Sequence, residues 1–149
     1  MFTVRTLYET DFNLWLEQTA CLLKEGKLDQ LDIENLLEEI EGMSRSEKDA
    51  LESNLIRVFQ HLLKWNYQPQ KRSPSWSYTI IEHSRRLNKA FKNSPSLKRH
   101  FDSVFDECYY EACKAAAVET QSLLATFPEL CPFSKSDVLN INPDDYLLE

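Results

Sequence analysis

The chain has 149 residues, 42% of them hydrophobic and 28% charged, with a net charge of −7, which suits one domain with a core of its own. Its two glycines, Gly26 and Gly42, are too few and too far apart for the loops that cradle phosphates in P-loop and dinucleotide-binding proteins, and they serve β-hairpins poorly. Cys21, Cys108, Cys113 and Cys131 lack the spacing of a zinc knuckle, and no apolar run approaches the roughly eighteen residues of a membrane span.

What remains is an all-α fold. Asp11 is a good N-cap, and the first predicted helix runs from there to about Glu25, with Leu14, Trp15, Ala20, Cys21, Leu22 and Leu23 as a broad apolar stripe. Gly26 stands where a helix-ending glycine belongs. Asp32 caps a second helix that meets no proline until Pro69. Its stripe is Ile33, Leu36, Leu37, Ile40, Met43, Leu51, Leu55, Val58, Leu62 and Trp65, and the phase survives across Gly42. One unbroken helix of about 50 Å follows, although Ser44 with Glu47 and Ser46 with Asp49 offer capping boxes for a break.

A third helix is predicted from about Ser75 to Asn93, with Trp76, Ile80, Leu87 and Phe91 inward. A fourth opens at Ser94-Pro95 and runs to about Gln121, carrying Leu97, Phe101, Val104, Phe105, Cys108, Ala112, Ala115 and Ala116. The tail holds Pro128, Pro132 and Pro143, so it is not one helix. Its apolar residues Phe127, Leu130, Phe133, Val138, Leu139 and Tyr146 require it to pack on the rest, with at most a short helix capped by Ser134 and Asp137. The expectation is a single domain over 1–149, with a core of about 8–122 and a tail of 123–149. It is a four- to five-helix bundle around one long central helix.

Charge is distributed unevenly. Residues 1–56 carry 5 Lys/Arg against 13 Asp/Glu, residues 57–100 carry 10 against Glu82 alone, and residues 101–149 carry 2 against 10. A segment of +9 therefore lies between two of −8.

Several stretches together resemble a known family. They are Tyr8-Glu-Thr-Asp-Phe12 with Trp15, Leu31-Asp-Ile-Glu-Asn-Leu-Leu-Glu-Glu-Ile-Glu41, Ser46-Glu-Lys48 and His61-Leu-Leu-Lys-Trp-Asn-Tyr-Gln-Pro69. Arg72-Ser-Pro-Ser-Trp76, Ser94-Pro-Ser-Leu97 and Phe127-Pro-Glu-Leu-Cys-Pro132 complete the set. In this order, from about Tyr8 to Phe133, they resemble the family known as domain of unknown function twenty-nine, met in cyanobacteria and other bacteria. The resemblance implies a compact helical domain and no activity, cofactor or catalytic residue.

The basic middle is the leading candidate for a binding surface. Lys64, Trp65, Tyr67, Lys71, Arg72 and Trp76 cluster around a loop, and Arg85, Arg86 and Lys89 follow on the third helix. Cations attract phosphates and carboxylates, and exposed aromatic faces stack bases. The plainer reading pairs these cations with the acidic helix at 34–52 and puts Trp65 and Trp76 in the core. The function expected is a non-enzymatic binding or assembly module whose segment 57–100 meets an acidic protein partner or a second copy. The alternative is a single-stranded nucleic-acid binder, which the net negative charge disfavours through long-range repulsion.

Catalysis has weaker candidates. Arg57 and His61 share a helix face and loosely resemble the Arg–His pair of all-helical HEPN-type ribonucleases, but the gap of three residues departs from that spacing. A histidine so placed is more often a hydrogen-bonded core residue. Metal is not expected, because none of His61, His83 and His100 follows a glutamate by three residues as di-iron bundles require. Glu34, Glu38 and Glu41 read as a solvated face, as do Asp102 and Asp106. Cys108 reads as buried and Cys113 as nearer the polar side. No cofactor and no membrane partner is expected. A cytoplasmic location follows from the absence of a signal sequence and from thiols read as reduced.

Overall fold

The computed structural model describes residues 4–148, and every regular element among them is helical. The α-helices are α1 (Val4–Thr10), α2 (Phe12–Lys24), α3 (Ile33–Tyr67), α4 (Pro74–Asn93), α5 (Leu97–Thr120) and α6 (Lys135–Leu139). The chain divides into two compact units, one ending at Glu47 and one beginning at Lys48. The long helix α3 contributes its first half to one and its second half to the other.

In the first unit Asp11 caps α2 as expected, its carboxylate accepting from the Leu14 amide at 3.1 Å. It also ends α1, its own amide donating to the Leu7 carbonyl at 2.8 Å. The short helix α1 has few apolar positions to mark it, and sequence periodicity passes over it. Gly26 closes α2 with φ of 72°, the Lys27 amide reaching Leu22 and the Gly26 amide reaching Leu23, which satisfies carbonyls that otherwise lack partners. Trp15 is fully buried. Its indole N–H donates to Asp32 at 3.3 Å, and the rings of Tyr8 and Phe12 lie 4.9 Å and 5.7 Å away. The expected broad stripe of α2 narrows to Trp15 and Thr19, with Cys21 and Leu23 exposed.

The helix α3 is unbroken over 35 residues. The capping boxes at Ser44 and Ser46 do not interrupt it, because Met43, Arg45, Glu47, Lys48 and Ala50 around them all favour a helix interior. The stripe behaves differently in its two halves. Leu51, Leu55, Val58, Leu62 and Trp65 are buried, whereas Ile33, Leu37, Ile40 and Met43 are exposed. Periodicity gives both sets as one stripe and does not tell the covered half from the open one. In the first unit Tyr8 binds Glu39 of α3 and Trp15 binds Asp32 just before it, and both acceptors lie away from the face bearing Ile33, Leu37 and Ile40 at 100° per residue.

The second unit packs α3 from Lys48 onward with α4, α5 and the tail. Phe59 stands at its centre, fully buried, with Phe105 edge-on at 5.0 Å, Tyr109 edge-on at 5.5 Å and Phe133 stacked at 6.1 Å. Ser73 caps α4 and Pro74 opens it, the arrangement proline favours. The helix α5 starts at Leu97, later than Pro95 predicted, because a tight turn over Ser94–Ser96 precedes it. It ends at Thr120, where Gln121 takes the left-handed conformation with φ of 57°.

The tail is docked, as its apolar content requires. Ser134 and Asp137 form a reciprocal cap for α6. Ser84 donates to the Val138 carbonyl at 2.6 Å, Ser77 to Tyr146 at 2.7 Å and Asn88 to Leu139 at 2.8 Å. The Ser84 hydroxyl is buried, so Ser84→Ala leaves the Val138 carbonyl without its partner. A loss of about 1–2 kcal/mol is expected. Limited proteolysis should then cut the tail faster than in the wild type, and an unchanged rate would contradict the docking.

Candidate functional site

The segment from Val58 to Trp65 is buried residue by residue, so α3 is surrounded there on every side. Three polar residues inside it, Gln60, His61 and Lys64, must find partners. Lys64, only 4% exposed, donates to Glu119 at 2.6 Å and lies 4.5 Å from the centre of the Trp76 ring. Gln60 donates to the other oxygen of Glu119 at 2.5 Å. Burial pushes the Glu119 carboxyl up, but the hydrogen bonds from Lys64 and Gln60 outweigh it and hold it below the usual range. The sequence reading missed Glu119, which lies 55 residues from Lys64 in a different helix. Lys64 between Leu63 and Trp65 was the only local sign of a buried charge.

Beside this cluster the Arg72 side chain donates to the Trp65 carbonyl at 2.8 Å and stacks 4.6 Å from the Trp65 ring. Tyr146 meets the same ring at 5.2 Å. Trp65 is buried, Trp76 is half-buried and Tyr67 is exposed, with its ring edge on Phe127 at 5.5 Å. Lys64, Trp65, Arg72 and Trp76 are thus brought together, as an internal clasp between the end of α3 and the start of α4. Lys71 is exposed beside it.

Arg85, Arg86 and Lys89 form a separate group on the outer surface of α4. The expected pairing with acids at 34–52 gives way to a local one. Glu82 takes Arg85 at 2.7 Å and Arg86 at 3.3 Å, and the bond to Arg85 leads in holding the Glu82 carboxyl down at about 2. His100 lies 3.6 Å from Glu52. Among the described residues Lys89 and Lys92 have no acid at ion-pair distance. Helix geometry explains the outward placing, since Ile80, Ser84, Leu87 and Phe91 take the inner face and Arg85, Lys89 and Lys92 lie opposite.

His61 is buried, and its Nδ1 meets the main-chain carbonyl of Arg57 at 3.0 Å, while the Arg57 side chain is exposed. Burial, more than any neighbouring charge, lowers the His61 pKa. Among the described residues no three of His, Cys, Asp and Glu gather as metal ligands would. Cys108 is buried, and desolvation raises it to about 12. Cys113 is also buried, contrary to its expected polar placing. The helix α5 is covered on a second side by Leu124, Ala125 and residues 127–129, which line with Tyr109, Tyr110 and Cys113 an apolar cleft of about 710 Å³. Burial raises the Cys113 thiol and keeps it protonated, the opposite of what a nucleophile needs.

Fold and site together define an all-helical protein among the described residues, with a long central helix packed against others. Residues 7–143 match the model of the family described as domain of unknown function DUF29, and the chain belongs to that family. No curated protein and no solved structure matches it. Among the described residues no helix is long and apolar enough to cross a membrane.

Proposed function

We propose that the protein is a non-enzymatic helical binding module and that the outer face of α4 holds an acidic protein partner. The observation that carries this reading is the exposed row Arg85, Lys89 and Lys92, set at intervals of one helical turn opposite the core face. Glu82 offsets part of it, and Lys98 and Arg99 at the start of α5 are exposed as well. Single exposed ion pairs contribute little. A row of cations acts by steering a partner in and by setting its register. The aromatic residues that a single-stranded nucleic acid would stack on are largely engaged within the chain, which favours the protein partner. All four cysteines are free thiols, as suits the reducing cytoplasm in which we place the protein.

The test is fluorescence anisotropy of the full chain with a labelled glutamate-rich helical peptide. Affinity should fall as salt rises from about 50 to 200 mM. The variant R85E/K89E/K92E should bind at least about tenfold more weakly with an unchanged circular dichroism spectrum. Binding that ignores the three substitutions would overturn the reading.

A further inference from the structure

We propose that the first half of α3 carries a second docking surface, which receives a cationic amphipathic helix from another protein. Ile33, Leu37, Ile40 and Met43 are between 52% and 68% exposed. Single exposed apolar residues are ordinary. These four recur every three or four residues along about three turns of one rigid helix, the anchor spacing by which one helix holds another. The row also keeps the phase of Leu51, Leu55, Val58 and Leu62, which are buried further along α3. The same helix face is thus core-forming in its second half and open to solvent in its first.

Charge decides what covers it. Residues 33–47 carry Glu34, Glu38, Glu39, Glu41 and Glu47 against Arg45 alone. Arg45 is already engaged by Glu38 at 3.5 Å. At 100° per residue Glu34, Glu38 and Glu41 border the apolar row on one side. A second copy laid on the row through its own α3 would set these acids against each other, and like charges at an interface are costly. The face of α4 in a second copy has the right sign but no apolar anchors, because Ile80, Leu87 and Phe91 are inside its own core. The fitting occupant offers leucine-like anchors at helical spacing and lysines or arginines beside them. This surface differs from the α4 face in residues and in sign, so either proposal stands or falls alone.

The experiment uses the full chain carrying R85Q/K89Q/K92Q, which silences the α4 face towards acidic helices, and a labelled leucine–lysine peptide of about four helical turns, with a scrambled peptide and a leucine–glutamate peptide as controls. The leucine–lysine helix should bind, and the two controls should not. L37S/I40S should weaken binding at least about tenfold and leave the helical spectrum unchanged, since both side chains are solvent-facing. E34Q/E41Q should keep measurable binding with less dependence on salt. Equal binding of the lysine and glutamate peptides would overturn the proposal, as would full affinity in L37S/I40S. A wild type that is dimeric by light scattering and becomes monomeric in L37S/I40S would overturn it too, by showing a second copy on the row.

Discussion

Phe59→Ala should cost roughly 3–5 kcal/mol of folding stability, the largest loss expected from any single substitution considered. The side chain is fully buried and joins three elements through the rings of Phe105, Tyr109 and Phe133. Removing it takes away apolar burial and leaves a cavity between α3, α5 and the tail. The surrounding rings are stiff and collapse poorly into such a space. Urea denaturation followed by circular dichroism measures the effect. A shift in midpoint worth less than about 1 kcal/mol would mean that this centre is not packed as described.

The second large effect concerns a charge. Glu119→Ala should destabilise the protein by about 2–3 kcal/mol, because it leaves the Lys64 ammonium buried with Trp76 as its remaining contact. The figure lies at or below the low end for a broken buried ion pair, since the Glu119 side chain is 46% exposed. Glu119→Gln should lose less, and K64M should recover part of the loss when combined with E119A by removing the stranded charge. The pair also gives stability a pH dependence with a definite sign. The Glu119 pKa is lowered in the fold, so its contribution is present above its unfolded value and disappears as pH falls through the folded one. His61 and His83 are lowered as well, mainly by burial. Their contribution starts to be lost below about pH 6.5, where the unfolded histidines take up protons. Acid should therefore weaken the wild type in two stages, and E119A should lose part of the lower one, to which Glu82 also contributes. Equal acid slopes in the two proteins would contradict the clasp.

The physical reason for what was legible in the sequence differs from element to element. Caps and periodicity are local, and they placed Asp11, Gly26, Asp32, Ser134 and the four long helices within a few residues. Periodicity also predicted α3 as a single rod, since the phase is kept across Gly42. It could not tell that the first half of that stripe faces solvent, because a helix face is apolar in the same way whether a neighbour covers it or not. Arg85 and Lys89 were read as one face, and they are one. Lys64, Trp65, Arg72 and Trp76 were read as a cluster, and they are one too. Their role as an internal clasp depends on Glu119 and Tyr146, which are distant in sequence. Cys113 was misplaced for a related reason, as one stripe was traced on α5 where two sides are covered.

The proposed recognition is of an acidic protein surface by the cationic face of α4. It is tested most directly by titrating the full chain with a labelled glutamate-rich helical peptide and, in parallel, with single-stranded RNA and DNA of similar net charge, at low and moderate salt. Salt-sensitive binding of the peptide is expected, exceeding binding of either strand and lost in R85E/K89E/K92E. Tighter binding of a strand, weakened by W76A and Y67A but not by the α4 substitutions, would contradict it.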